Sequence, residues 1–376
     1  MKILKTKVKL SKLKWRYRVT ALFCVITIAS GVWFSSPVIF SALSTFAQKM
    51  ALSSAMFALP SGTLYVAEQY YNREDIPDDI PQYSEPSSSE TVSESEITSS
   101  DTPISAPVSD VPISRRGKIE EITYLSSMSA NIIKYGAGAI KNDTKNSTSA
   151  VEKILSEPFK ITLDDGPQVL IMHTHTTESY EPYARDYFDS DSTSRTTDNN
   201  NNMAKVGEVL CEVLNSNGIY AIHDTTQHDY PSYNGSYERS AETVKAYLKK
   251  YPSIKIVLDI HRDAIERENG TRIKPVTEIN GKKAAQLMII SGCDDGKMNM
   301  PKWRENLKFS AALQDQLESD YPTLTRPILF CYRKYNQDLT TGSILIEVGG
   351  HANSIDEALY SARLLGESLS RVLNKK

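Results

Sequence analysis

Two histidines and a glutamate crowd into Pro167-Gln-Val-Leu-Ile-Met-His-Thr-His-Thr-Thr-Glu-Ser-Tyr180. The apolar run Val169 to Met172 reads as a buried strand, and His173, His175 and Glu178 follow it with no turn residue between. The C-terminal ends of strands are where open α/β sheets usually carry their sites. Because strands alternate their faces, His173 and His175 are predicted to point the same way. Glu178 stands in an H-x-x-E spacing with His175, close enough for both to reach one cation. Neutral imidazole with carboxylate suits Zn2+, and a catalytic zinc takes a third protein ligand while leaving a position for water.

Two later stretches can complete such a set. Ile254 to Ile260 reads as a strand running into His261-Arg-Asp263, and Ser343-Ile-Leu-Ile-Glu-Val348 is an apolar strand with Glu347 near its end. His261 is the predicted second imidazole ligand. Its bland alternative is a histidine satisfied by a backbone carbonyl. Glu347 is the predicted general base, since a carboxylate in an apolar strand is costly unless it faces a polar site. Its alternative is a buried ion pair with Arg262, which is otherwise a candidate for holding substrate. His175 is the favoured ligand of the first pair through its spacing to Glu178, leaving His173 as a ligand or supporting group. Asp198, at the head of a helix beyond, rivals Glu178 as the carboxylate ligand. His228 and Tyr233, in the loop His228-Asp-Tyr-Pro-Ser-Tyr-Asn-Gly-Ser-Tyr237, are candidates to line a substrate groove.

The elements that must position these residues alternate. A helix from Met203 closes at Asn217-Gly218, Ile219–Ile222 reads as a strand, and Glu238–Lys250 as a helix. Asn280-Gly281 marks a hairpin, followed by a strand over Ala284–Ile290. A helix over Asn306–Leu317, a strand over Pro327–Tyr332 and a last helix over Asp356–Leu373 complete the order. Strands alternating with helices indicate an α/β domain, with a mostly parallel sheet covered by helices on both faces. Before it, Ile119–Ala139 has helix-compatible spacing. The predicted domain covers 115–376, with its core at about 155–376.

The N-terminal third differs. Of the formal net charge of −3, residues 1–18 contribute eight Lys or Arg and no acid, which leaves −11 for the remainder. Val19 to Phe40 carries no charge, and about 20 apolar residues span a bilayer. This predicts a transmembrane anchor with a basic cytoplasmic tail (1–18) and the bulk outside, rather than a nucleic-acid-binding arm. Ala42-Leu43-Ser44 keeps a cleaved signal peptide open as the alternative, although the apolar run is long for one. A juxtamembrane helical segment follows (41–73). From Glu74 to Ile113 there are ten acidic residues and no Lys or Arg, amid Ser and Pro, so 74–114 is predicted to be a disordered tether. Four cysteines without a C-x-x-C pair argue against a thiolate zinc site or redox motif.

Four blocks carry a resemblance over about 115–376: Leu170–Tyr180, His228–Tyr237, Leu258-Asp-Ile-His-Arg-Asp-Ala264, and Tyr335-Asn-Gln-Asp-Leu339 with Leu345-Ile-Glu-Val-Gly-Gly350. In these the sequence resembles the stage II sporulation protein P family, membrane-anchored peptidoglycan hydrolases that are similar to zinc N-acetylmuramoyl-L-alanine amidases. The resemblance implies amidase and endopeptidase cleavage of wall peptides during engulfment at the forespore septum, with stage II sporulation proteins D and M as partners. It matches His175 and His261 to zinc ligands and Glu347 to the catalytic carboxylate. In typical amidases the carboxylate ligand lies at a helix start, near Asp198, whereas zinc carboxypeptidases use the nearer H-x-x-E of Glu178. A carboxypeptidase and an inert wall-binding module are therefore the alternatives to the amidase.

Overall fold

Period-two alternation along three central strands gives the main sheet one apolar face and one mixed face. In the computed structural model, which describes residues 111–128 and 130–375, the elements in chain order begin with β1 (Arg116–Ile122), β2 (Ile132–Tyr135), β3 (Gly138–Asp143), α1 (Thr148–Leu155) and β4 (Val169–Met172). Then come β5 (Tyr187–Asp189), α2 (Met203–Ser216), β6 (Ala221–His223), α3 (Ser236–Lys250), β7 (Ile256–Asp263), β8 (Arg272–Ile279) and β9 (Lys282–Ala285). The chain ends with β10 (Leu287–Gly292), α4 (Trp303–Asp320), β11 (Ile328–Cys331), β12 (Gly342–Gly350) and α5 (Ile355–Asn374). The expected basic tail, anchor and juxtamembrane segment, with nearly all of the tether, lie outside the described residues. Among the described residues no helix is long and apolar enough to cross a membrane.

The strands form an eight-stranded sheet, β2-β3-β11-β10-β12-β7-β4-β6, and a four-stranded sheet, β5-β1-β8-β9. Both are mixed, which corrects the expected mostly parallel sheet. In the larger one β2 pairs β3 and β10 pairs β12 antiparallel, while β12, β7, β4 and β6 run parallel. In the smaller one β1 is antiparallel to β5 and parallel to β8. The α/β class stands. The main sheet also begins earlier than 155, because β2 and β3 belong to it.

Ile119–Ala139 is not a helix but parts of β1, β2 and β3. Ile119 packs on Phe188 and Ala352, so tertiary burial overrides a short helical period. The expected strand over Ala284–Ile290 is broken at Gln286. There the chain leaves one sheet for the other, and the buried Gln286 side chain accepts from Tyr124 N at 2.6 Å and donates to Thr323 O at 2.8 Å.

On the apolar face, Val169 and Ile171 of β4, Leu258 and Ile260 of β7 and Ile344 and Ile346 of β12 pack under α2, α4 and α5. On the other face, Leu170, Met172 and Val257 pack with Val244 of α3. Helices thus cover both faces. The same alternation sends Asp259, His261 and Glu347 to the α3 side. Cys293 and Cys331 are buried and free, as apolar cysteines commonly are.

Gly207 of α2 is where helix and sheet come closest. A Cβ there would lie 2.4 Å from His223 Nε2 and 2.5 Å from His173 Nε2. Alanine normally gains about 1 kcal/mol over glycine inside a helix. Here overpacking, which costs about 1–3 kcal/mol, outweighs that gain, because His173 is held from behind by Ile260 O at 2.9 Å. Gly207→Ala is expected to lower stability in urea unfolding. A gain would show that the two rings move aside freely.

Candidate active site

β4 ends at Met172, and His173 to Thr177 form a turn. The predicted common direction of His173 and His175 therefore fails: strand alternation no longer applies once the strand has ended. His173 stays on the α2 side, fully buried. Its Nδ1 donates to Ile260 O at 2.9 Å and its Nε2 meets His223 Nε2 at 2.9 Å. Burial, reinforced by His223, brings its pKa down to about 3, so it stays neutral. With both nitrogens engaged, His173 packs the fold and does not face the site.

His175 turns to the opposite side. Its ring stacks on Tyr233 with centroids 4.5 Å apart and stands edge-on to His261 at 5.2 Å. Its Nδ1 is buried without a hydrogen-bond partner. Burial lowers its pKa to about 3, leaving a neutral imidazole.

His261 reaches this point from within β7, which runs on to Asp263. Its Nε2 donates to Asp259 Oδ1 at 2.8 Å, and its Nδ1 lies 3.5 Å from Glu178 Oε2. The expected alternative, a backbone carbonyl partner, is replaced by these two carboxylates. Burial alone would lower its pKa, but Asp259 and Glu178 raise it well above the ordinary value.

Glu178 sits in the site with His261. Burial would raise its pKa, but Arg262, His261 and Arg195 hold it well below the usual carboxylate range. Arg195 Nη2 is 3.3 Å from Glu178 Oε1, and the Arg262 backbone N donates to Oε2 at 3.3 Å. Asp198, the rival, is exposed and accepts from Asn200 N and Asn201 Nδ2 in a turn ahead of α2. It does not join the cluster.

Glu347 lies directly opposite His261 in the parallel β12–β7 pairing. Its Oε2 is buried without a partner. Burial, with Asp263 adding to it and His261 opposing, pushes its pKa up to about 8. The ion pair with Arg262 is absent. Arg262 instead donates from Nε to Ser179 O at 2.9 Å and from Nη2 to Ser194 O at 2.7 Å. Those bonds leave Arg262 a buried brace for the 179–194 loop instead of a substrate contact. His228 is likewise internal: Nδ1 donates to His173 O at 2.8 Å and Nε2 lies 2.9 Å from Thr243 Oγ1. Of the expected groove residues, Tyr233 alone lies against the site, half-buried, with the Arg195 guanidinium 5.1 Å from its ring centroid.

Asp259, Arg195 and Asp229 also shape the site, beyond the residues expected from the sequence. Asp259 was detectable, being an acid in an apolar strand two residues before His261 and so on the same face. Arg195 and Asp229 sit in loops whose approach no local pattern announces. Arg195 Nη1 donates to Asp229 Oδ2 at 2.6 Å, and Asp229 also accepts from Thr177 N at 3.2 Å and Oγ1 at 2.7 Å.

Among the described residues no three His, Cys, Asp or Glu groups already stand at metal-ligand spacing. The donor chemistry nonetheless fits zinc. His175 brings an unpartnered neutral nitrogen, Glu178 an ionised carboxylate, and His261 an imidazole backed by a carboxylate, as ligand histidines commonly have. A cation would share Glu178 with two arginines.

A mixed α/β domain thus gathers His261 and Glu347 from adjacent strands with His175 and Glu178 from the segment after β4 into one buried ionisable cluster. The chain belongs to the stage II sporulation protein P (SpoIIP) family, whose model matches residues 80–370. It is 29% identical over 227 residues to stage II sporulation protein P of Bacillus subtilis (strain 168), covering 57% of this chain. The chain spans about half of that relative's length, 53%. Among solved structures it is similar to N-acetylmuramoyl-L-alanine amidase AmiC2 of Nostoc punctiforme (15% identity, TM-score 0.33, 56% of this chain and 96% of that one). The CwlD amidase from Clostridioides difficile, solved in complex with the GerS lipoprotein, is similar at 14% identity and TM-score 0.36, over 56% of this chain and 100% of that one. Likenesses this distant do not define the site.

Breaking a buried ion pair from one side costs about 3–5 kcal/mol. Arg195→Ala, which removes the cation between Asp229 and Glu178, is expected to destabilise by about that much in guanidinium unfolding. A change within experimental error would mean that water already screens the pair.

Proposed function

We propose that this chain is a zinc-dependent peptidoglycan hydrolase that cleaves the amide between N-acetylmuramic acid and the L-alanine of the stem peptide. Membership of the SpoIIP family supports wall hydrolysis in sporulation. The observation that carries the catalytic reading is the pairing of Glu347 with His261 on one sheet face, facing His175 and Glu178. His175, Glu178 and His261 would hold the metal. When bound, zinc supplies Lewis acidity toward the scissile carbonyl and lowers the pKa of water. Glu347 takes the water proton at Oε2 and returns it to the leaving nitrogen. A carboxyl lifted to about 8 is suited to both tasks near neutral pH. Tyr233, stacked on His175, would contact one end of the substrate.

Residues 19–40 anchor the chain in the cell membrane with the N-terminus inside, the catalytic domain acts outside at the forespore septum, and stage II sporulation proteins D and M are partners. A zinc carboxypeptidase is the second reading, favoured by one observation: Glu178, in H-x-x-E spacing with His175, lies beside His261 while Asp198 is exposed.

Metal analysis with digestion of purified peptidoglycan separates the readings. Lactoyl-type muramic ends with new N-terminal alanine are expected. Release of a terminal amino acid would favour the carboxypeptidase, and neither product nor metal would leave an inert wall-binding module. His261→Ala is expected to lose zinc. Glu347→Gln is expected to keep zinc while turnover falls by on the order of 10²–10⁴-fold. Full activity in Glu347→Gln would overturn its role as base.

A further inference from the structure

The two site histidines arrive on different segments, yet one carboxylate touches both arrivals. Met172 pairs with Asp259 across β4 and β7. Thr174 follows two residues after Met172, in the turn and one residue before His175. Asp259 Oδ1 accepts from His261 Nε2 at 2.8 Å and from Thr174 N at 2.8 Å, and Oδ2 accepts from Thr174 Oγ1 at 2.7 Å. Thr174 Oγ1 in turn lies 2.8 Å from Ser240 Oγ of α3, and Asn336 Nδ2 donates to that Ser240 oxygen at 3.0 Å. Asp259 is buried, and His261 is its one ion-pair partner among the described residues.

We propose that Asp259 is the positioning residue of the site, fixing His261 directly and His175 through Thr174. Binding His261 at Nε2 leaves Nδ1 as the ring nitrogen turned toward Glu178. Clamping Thr174 at both its amide and its hydroxyl sets where the chain leaves β4, and so where His175 is thrown across to its place against His261. The spacing between the two imidazoles is therefore a property of Asp259, not of either histidine. A carboxylate serving only to anchor β4 to β7 would not need the ring contact. One serving only His261 would leave Thr174 free.

The inference rests on the metal reading above, and its test separates the two. Zinc affinity of the full-length chain is measured by competition with a chromogenic chelator for the parent and for Asp259→Ala, Asp259→Asn, Thr174→Val and the double variant Asp259→Ala/Thr174→Val. Melting of the metal-free proteins reports folding. Loss of carboxylates behind ligand histidines typically weakens metal binding roughly 10–100-fold, and Asp259→Ala is expected to fall in that range. Asp259→Asn, which keeps an acceptor of the same shape, is expected to recover part of it. Thr174→Val is expected to weaken zinc less, and the double variant to bind no worse than Asp259→Ala, because residues acting through one group are not additive.

Parental zinc affinity in folded Asp259→Ala, or additive losses in the double variant, would overturn the proposal. If Asp259→Ala does not fold, parental affinity in Thr174→Val does so. If the parent itself binds no zinc, the metal reading falls alone. The Thr174 amide is then decisive by hydrogen exchange: it is expected to exchange faster in Asp259→Asn and Asp259→Ala, and unchanged protection in a folded variant would sink Asp259 as well.

Discussion

β12 runs parallel to β7 with Glu347 set against His261. Parallel register with period-two alternation leaves no freedom in the outcome: once Leu258, Ile260, Ile344 and Ile346 go under the helices, Asp259, His261 and Glu347 must face the other way. A one-residue slip of either strand would bury the acid and the imidazole among aliphatic side chains. The hydrophobic layer thus enforces the polar one. That layer is closed by α2, α4 and α5, so the face bearing the site is left to α3 and to long loops.

Those loops bring in charges that water no longer reaches. Glu178 lies beside His261, Arg195 and Arg262, and Asp229 beside Arg195. Buried ion pairs seldom add stability, because desolvation offsets much of the attraction. Their effect here is to hold polarity in fixed positions. Glu178 is kept ionised by cations, whereas Glu347, buried with Asp263 near and no hydrogen bond on Oε2, has its pKa raised to about 8. Two glutamates in one site are driven apart in acidity by their neighbours, which is how carboxylates divide labour in a hydrolytic centre.

His175, His261, Glu178 and Glu347 were legible because each breaks or ends an apolar run, and burying such a group needs a reason. The late strands and helices were legible from periodicity and from caps such as Gly218, whose φ of 80° follows α2. What was hidden depends on distance along the chain. His173 looked equivalent to His175 until the strand stopped at Met172 and sent them to opposite sides. His228 and Arg262 looked like substrate contacts because local sequence does not reveal that carbonyls of residues 173, 179 and 194 will consume their donors. The β1–β3 segment imitated a helix, because Ile119 and its neighbours become strand only when β8 and β5 are alongside. The switch of sheets at Gln286, after which β10 runs antiparallel to β12, leaves no local mark beyond one buried amide.

A site built from His175, Glu178 and His261 is tested most directly by what surrounds a bound metal. Zinc K-edge X-ray absorption on the chain loaded with one equivalent of zinc should give nitrogen and oxygen neighbours at about 2.0–2.2 Å, with outer-shell scattering from two imidazoles. Sulfur at about 2.3 Å, or oxygen neighbours without any imidazole signal, would contradict a site built from His175, Glu178 and His261.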